Sequence, residues 1–315
     1  MSALRVVFMG TAPLSCASLQ ALIDSPEFEV VAAVTQPDRP KGRDLKVQPS
    51  PVKEFAQRAN IPVLQPERAR EEEFVQQVRG LAPDMVCVAA YGQILPRALL
   101  DLPRFGCVNV HTSLLPKYRG AAPIQWSILN DEPETGVTIM KVDAGLDTGD
   151  ILAQERTRIL PEDTSQSLHD RLATMGAQLL LRTLPDYISG KIQPRPQAAE
   201  AATYAPKIKK EDGHIDWSQP ARSIWNRVRG LIPWPGAFTF LPAEAKPVLL
   251  KLWQAEIADV SGPPGQLLQA DKTGVVVGCG QQALRLLLLQ REGGRRLTPQ
   301  QFLAGHPLQP GQKLG

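Results

Sequence analysis

Apolar positions along the first two-thirds of the chain fall into short runs, and these runs alternate with stretches of helical spacing. Leu4–Met9 is an apolar run ending at Gly10, and Glu29–Val34, Asp84–Ala90 and Cys107–Val110 repeat the pattern. Such runs predict strands buried on both faces, with a shorter one at Pro62–Leu64. Pro13–Asp24, Pro51–Ala59 and Glu71–Arg79 read as the helices between them. Gly136–Val142 alternates well, and Ile151–Arg158 is placed to pair beside it. Strands alternating with helices predict an α/β fold, a Rossmann-like, doubly wound and mostly parallel sheet. A long helix should start at Asp163 or Thr164, either of which can cap it. Leu168, Leu172, Met175 and Leu179 supply its buried stripe, and Pro185 should end or kink it.

The pattern changes after residue 189. Residues 190–206 hold Pro194, Pro196 and Pro206 with little apolar periodicity, which predicts a partly extended linker between a domain at 1–189 and a smaller one at 207–315. Short strand candidates follow at Gly213–Trp217, Ala237–Leu241, Pro247–Ile257, Gly265–Ala270, Gly274–Gly278 and Ala283–Gln290. Their even spacing predicts an OB-like β-barrel. Four tryptophans lie here (Trp217, Trp225, Trp234, Trp253), and most are expected in its core.

Composition narrows the class. With 315 residues, 43% apolar and 21% charged, the chain has enough core for two domains and is not a disordered protein. No apolar run approaches the ~18–20 residues of a membrane span. The first strand begins at once, so no leader peptide is expected. Cys16, Cys87, Cys107 and Cys279 are far apart, which fits a reduced, cytoplasmic chain without a zinc knuckle. The net charge of +3 hides an asymmetry: residues 1–206 carry 21 basic and 24 acidic groups, residues 207–315 carry 14 and 8. A basic C-terminal third points to an anionic partner, or to a solvated surface bias with none.

The first strand is followed by Gly10-Thr11-Ala12-Pro13-Leu14. One glycine does not make a dinucleotide loop, and neither a phosphate loop nor an HExxH motif occurs elsewhere. The chemistry-bearing stretch runs from Asn109 to Pro123. Asn109 and His111 are two apart in a strand, so both face one side at the strand's carboxyl end, where open α/β sheets place their sites. Asp143, Asp147 and Asp150 crowd a loop with Gly145 and Gly149 after the strand at Gly136–Val142. A carboxylate near an imidazole orients the ring and favours its charged form. No GxSxG elbow is present, so Asn, His and Asp suit acyl-type transfer without a covalent intermediate.

The segments Asn109–Pro123 and Leu146–Asp150 resemble the folate-dependent formyltransferases. Thr35–Pro40, Val137–Met140 and Tyr204–Trp217 resemble the members of that family that act on charged initiator tRNA, and the similarity covers essentially the whole chain. The resemblance implies transfer of the formyl group of 10-formyltetrahydrofolate, a substrate rather than a bound cofactor, to the α-amino group of methionine on initiator tRNA. No metal is called for. It implies Asn109, His111 and Asp147 as catalytic residues. Ser113, Leu114, Leu115 and Pro116 match the family's folate signature, and the loop with Tyr91 and Ile94 is expected to offer backbone hydrogen bonds to the pterin. The residues from Thr35 to Ser50 form a long connection carrying Arg39, Lys41, Arg43 and Lys46, read as an arm for the acceptor stem. Arg43 and Lys207 match family residues near the tRNA. Lys209 and Lys210, with Arg222, Arg227 and Arg229, extend the expected phosphate-facing surface. Where the family has an aromatic after its first strand, this chain has Leu14. A small-molecule folate formyltransferase, a 10-formyltetrahydrofolate hydrolase and a tRNA-binding module with a decayed site remain alternatives. A monomer is expected.

Overall fold

A computed structural model describes residues 3–41, 46–242 and 247–315. In chain order the first elements are β1 (Leu4–Gly10), α1 (Pro13–Asp24), β2 (Phe28–Val34), β3 (Arg39–Lys41), β4 (Lys46–Gln48), α2 (Pro51–Arg58) and β5 (Val63–Leu64). They continue with α3 (Glu72–Gly80), β6 (Met85–Ala89), α4 (Arg97–Leu100), β7 (Cys107–His111), β8 (Arg119–Gly120), α5 (Pro123–Leu129), β9 (Glu134–Lys141), β10 (Ile151–Arg158) and α6 (Ser165–Ile188). After β11 (Tyr204–Ala205) come α7 (Ala221–Gly230), β12 (Ala237–Leu241), β13 (Val248–Ala258), β14 (Leu267–Asp271), β15 (Gly274–Gly278), β16 (Ala283–Arg291) and α8 (Pro299–Gly305).

The chain forms two compact units. The first is drawn from 1–123, 134–158 and 169–206, and the second from 124–133, 159–168 and 207–315. The first holds a seven-stranded sheet of order β10-β9-β7-β6-β1-β2-β5. β1, β2, β5, β6 and β7 are parallel, and β9 and β10 close one edge antiparallel. The central strands β1 and β6 are buried almost throughout, as unbroken apolar runs require. The parallel β7 ends at His111 and β6 at Ala89, so their following loops open at one edge of the sheet.

β9 runs antiparallel to β7. Its carboxyl end lies beside Cys107, at the start of β7, because Val142 N–H donates to the Cys107 carbonyl at 2.8 Å. The acidic loop therefore reaches the end of β7 only by doubling back. Lys141 N–H bonds the Asp150 carbonyl at 2.8 Å and closes the loop, and Asp143 accepts from Gly145 N–H and Thr148 Oγ1 inside it. Gly149 is needed there, since a Cβ would sit 2.0 Å from the Lys141 carbonyl oxygen.

The long helix starts one residue past Thr164, whose hydroxyl accepts from Ser167 N–H at 3.2 Å. Leu168, Leu172 and Leu179 are buried and Met175 half-buried. Pro185 does not end the helix, which runs on to Ile188.

In the second unit five antiparallel strands form a sheet of order β12-β13-β16-β15-β14. Its core gathers Trp217, Leu250, Leu252, Val275, Leu284, Leu286 and Phe302. Trp217 is buried and donates Nε1–H to Thr239 Oγ1 at 3.0 Å, whereas Trp234 is exposed. No helix among the described residues is long and apolar enough to cross a membrane, and all four cysteines are unpaired.

Candidate active site

Asn109 and His111, from the end of β7, and Asp147, from the returning loop, line one cavity of about 520 Å³. That is the size of a pocket for a cofactor-like small molecule. Its other walls include Leu14 from α1, Tyr91 and Ile94 from the loop after β6, and Met140 from β9. The buried His111 ring has two different neighbours. Nε2 lies 3.0 Å from the Tyr118 carbonyl oxygen, which can only accept, so this nitrogen carries a proton. Nδ1 is left facing Asp147 Oδ2 at 3.7 Å. This exceeds a hydrogen bond, and Asp147 Oδ2 instead accepts the Gly120 N–H at 2.8 Å. The Tyr118 carbonyl orients the ring through Nε2, and the Asp147 carboxylate stands beside Nδ1 at ion-pair rather than hydrogen-bond distance.

Two residues beside His111 have unusual backbone. Asp147 has φ +53° and Tyr118 has φ +62°, both in the left-handed region that disfavours side chains. Surrounding bonds hold them there, as Tyr118 N–H donates to Thr203 Oγ1 at 2.9 Å.

Ser113, Leu114, Leu115 and Pro116 are placed differently from expectation, because none of the four lines the cavity. Ser113 is buried and donates its hydroxyl to the Lys117 carbonyl at 2.6 Å. Leu115 packs with Met140 and Ile151. Thr138 of β9 donates to the Ser113 carbonyl and accepts from Leu115 N–H, and Gln154 of β10 donates to the Leu115 carbonyl and to Thr138 Oγ1. The motif is a turn pinned onto the antiparallel edge, and it sets where Tyr118 and Gly120 come to lie. Thr138 lies in the matched segment Val137–Met140, where nothing sets it apart from its neighbours, and Gln154 reads in sequence only as a polar strand position.

Tyr91 and Ile94 do line the cavity. Ile94 is 72% exposed while its neighbour Leu95 is in the core. Tyr91 is 2% exposed, its hydroxyl has no hydrogen-bond partner, and burial together with the Glu71 charge pushes its pKa up to about 12. The Tyr91 carbonyl accepts from Thr11 Oγ1 and Gln36 Nε2, so part of this loop's backbone is already engaged.

The residues from Thr35 to Ser50 are not wholly irregular. β3 and β4 pair antiparallel, with Arg39 opposite Gln48 and Lys41 opposite Lys46. The Thr35 and Ser50 hydroxyls meet at 2.6 Å, buried, and tie the two ends together. Nearby, Lys53 and Gln65 bond the Asp38 carboxylate and hold its pKa below the usual range. Arg39 is exposed, and Arg43 lies outside the described residues.

Lys207, Lys209 and Lys210 are exposed in the second unit. The three arginines expected beside them are engaged internally. Arg222 pairs with Asp131 at 2.8 Å, and Arg227 donates to the Asp212 carbonyl. Arg229 is buried, stacks 4.3 Å over Trp225, and donates to the Leu160 and Asp163 carbonyls. The Asp131 carboxyl loses solvation by burial, yet its bonds to Arg222 and Asn226 leave its pKa lowered.

Comparison with known proteins agrees with this layout. A family model described as formyl transferase matches residues 4–184, and one described as formyl transferase, C-terminal domain, matches 207–307. The methionyl-tRNA formyltransferase of Citrifermentans bemidjiense is 51% identical over 315 residues, 100% of this chain and 98% of that protein. That of Geobacter sulfurreducens is 49% identical over the same coverage. Among solved structures, an N-formyltransferase from Helicobacter canadensis superposes with TM-score 0.64 at 18% identity, covering 90% of this chain and 98% of that one, which speaks for the fold. The chain belongs to the formyl transferase family, among its methionyl-tRNA formyltransferases.

Proposed function

We propose that the chain transfers the formyl group of 10-formyltetrahydrofolate to the α-amino group of methionine on initiator tRNA, as a cytoplasmic monomer serving translation initiation. One observation carries the reading. Asn109, His111 and Asp147 converge on one cavity in a chain about half identical, over its full length, to methionyl-tRNA formyltransferases. Small-molecule formyl transfer and hydrolysis are not favoured by relatives of that name at that identity.

The amine attacks the formyl carbon as its neutral form, which an α-amino group of pKa about 7.7–8.0 supplies in part near neutral pH. A tetrahedral oxyanion forms. The Asn109 amide lines the cavity and supplies an N–H donor to that oxygen, an effect worth about 10²–10³ in rate. His111 presents Nδ1 on the Asp147 side. There it takes the proton shed by the attacking nitrogen and passes it to the leaving folate nitrogen. Asp147 stabilises the imidazolium formed in between, and proton transfer of this kind contributes about 10²–10⁴. Tyr91, Gly92 and Ile94 wall the space for the pterin, while Arg39, Lys41, Arg43 and Lys46, with Lys207, Lys209 and Lys210, hold tRNA phosphates.

The test is N-formylation of charged methionyl-tRNA, run beside uncharged tRNA and glycinamide ribonucleotide. Transfer to the aminoacyl-tRNA alone is expected. Transfer to the small amine alone overturns the reading.

A further inference from the structure

Residues 195–205 precede the C-terminal unit in the chain, and within the first unit they cross both segments that make the site. Arg195 pairs by backbone with Ile151 at both N–H groups. Thr203 accepts from Arg119 N–H, and β11 lies parallel to β8 with Tyr204 opposite Arg119. The Ala205 carbonyl accepts from Ala121 and Ala122. This stretch therefore bonds the 116–122 turn on one side and the start of β10 on the other.

Gln197 joins the two sides through one side chain. Its Oε1 accepts from Nε and Nη2 of the buried Arg119, at 3.1 and 2.7 Å. Its Nε2 donates to the carbonyls of Asp147 and Gly149, at 2.8 and 2.7 Å. The amide orientation is fixed by its partners, because a guanidinium only donates and a carbonyl only accepts. The Asp147 carbonyl it holds belongs to the residue at φ +53°, a conformation that persists only where neighbours impose it. The same residue's carboxylate is held from the other side by Gly120 N–H, next to Arg119. Gln197 thus clamps the main chain of Asp147 to the turn that anchors its side chain.

We propose that Gln197 is a positioning residue for Asp147, acting through a strap formed by 195–205. The inference rests on the reading of Asp147 as catalytic. It makes a specific demand: Gln197 matters to turnover only as long as Asp147 has a carboxylate to place.

The full-length chain tests this with Gln197→Met, which removes all three groups of bonds at similar volume, and Gln197→Glu, which keeps an acceptor for Arg119 but sets a carboxylate against two carbonyls. Both are expected to lower kcat by about 10- to 100-fold, the scale of a 1 Å misplacement, with KM for the folate and the tRNA within about threefold. In an Asp147→Asn background, followed by single turnover with excess enzyme, the same substitutions should change the rate by less than about twofold, since residues acting in one network are non-additive. A loss that recurs undiminished beside Asp147→Asn overturns the proposal, as does wild-type kcat in either single variant. If Gln197→Met melts the chain, Gln197→Glu alone carries the test. Wild-type turnover of Asp147→Asn by itself is a distinct result, which removes Asp147 from the chemistry.

Discussion

The Asp147 carboxylate stands 3.7 Å from Nδ1 of His111 and accepts its hydrogen bond from Gly120 instead. Charge and hydrogen bonding are thereby divided between two neighbours, which makes them separable. Asp147→Asn keeps an oxygen for Gly120 and loses only the charge. It is expected to lower single-turnover rate by about 10²–10⁴-fold while its melting temperature stays near wild type. Asp147→Ala loses the Gly120 partner as well and should also destabilise, by about 1–2 kcal/mol. A rate in Asp147→Asn within a few-fold of wild type would refute the electrostatic role.

Gly120 has φ +117°, and a Cβ there would lie 2.8 Å from the Ala205 carbonyl oxygen. Gly120→Ala meets both backbone strain and a clash with β11. A cost of about 1–3 kcal/mol is expected in urea unfolding. Turnover should fall further than stability explains, since Gly120 N–H is the bond that places Asp147. Unchanged stability and turnover would mean that β8 and β11 separate freely.

Much of this was legible in the sequence, for reasons that differ by element. β1, β6 and β7 announce themselves because strands buried on both faces must be apolar runs. Strand periodicity puts Asn109 and His111 on one face, and the resemblance of the segment Asn109–Pro123 is what marks them as site residues. The direction of β9 left no such mark, since alternation gives a strand's exposed face and not its sense. The doubling back of the Asp147 loop was therefore hidden. Gln197 was hidden for a similar reason: a polar residue between prolines reads as solvated linker, and its partners are 48 to 78 residues away. Charge misled at Arg229, because a sequence counts a cation without telling whether carbonyls and a Trp ring already enclose it.

Ser50 has two partners at the base of the β3–β4 arm. It caps α2 by accepting from Lys53 N–H at 3.0 Å and meets the Thr35 hydroxyl at 2.6 Å. Ser50→Ala should cost about 1 kcal/mol for the cap and about 1–3 kcal/mol for the buried Thr35 hydroxyl, which keeps only a long 3.5 Å contact with Thr11 Oγ1. Thr35→Val in the same chain removes that under-bonded hydroxyl. The double variant should therefore be less destabilised than the sum of the singles, as measured by denaturant midpoints. Simple additivity would show that the two hydroxyls are not coupled.

Tyr91 gives a pH-dependent prediction. Burial, reinforced by Glu71, raises its folded pKa to about 12, against about 10 in an unfolded chain. The folded state keeps the phenol proton that the unfolded state releases. The neutral phenol's contribution to stability is thus complete below about pH 10 and is lost as pH rises toward 12. Tyr91→Phe should lose less stability over that interval than wild type, while the buried thiols Cys107 and Cys279 titrate alike in both. Near neutral pH the variant should be as stable or up to about 1 kcal/mol more stable, because the removed hydroxyl had no partner. A Tyr91→Phe chain with the wild-type alkaline slope would show that the phenol ionises freely.

The basic residues of the second unit divide into two groups with opposite expected phenotypes. Arg229 is 7% exposed and satisfies two carbonyls and Asn226 while stacked on Trp225. Arg229→Met should destabilise by about 2–4 kcal/mol, since it strands buried acceptors. At temperatures where the variant is folded, tRNA affinity should change little. Lys207, Lys209 and Lys210 are exposed, so their neutralisation should leave unfolding unchanged. Each lysine that contacts a phosphate should, when replaced by Ala, weaken tRNA binding and reduce the slope of log affinity against log salt by about 0.7–0.9. Filter binding across a salt series, alongside thermal melts, distinguishes the groups. A lysine variant with an unchanged salt slope is not at the RNA, and an Arg229→Met chain that binds weakly yet melts normally would place that arginine on the interface instead.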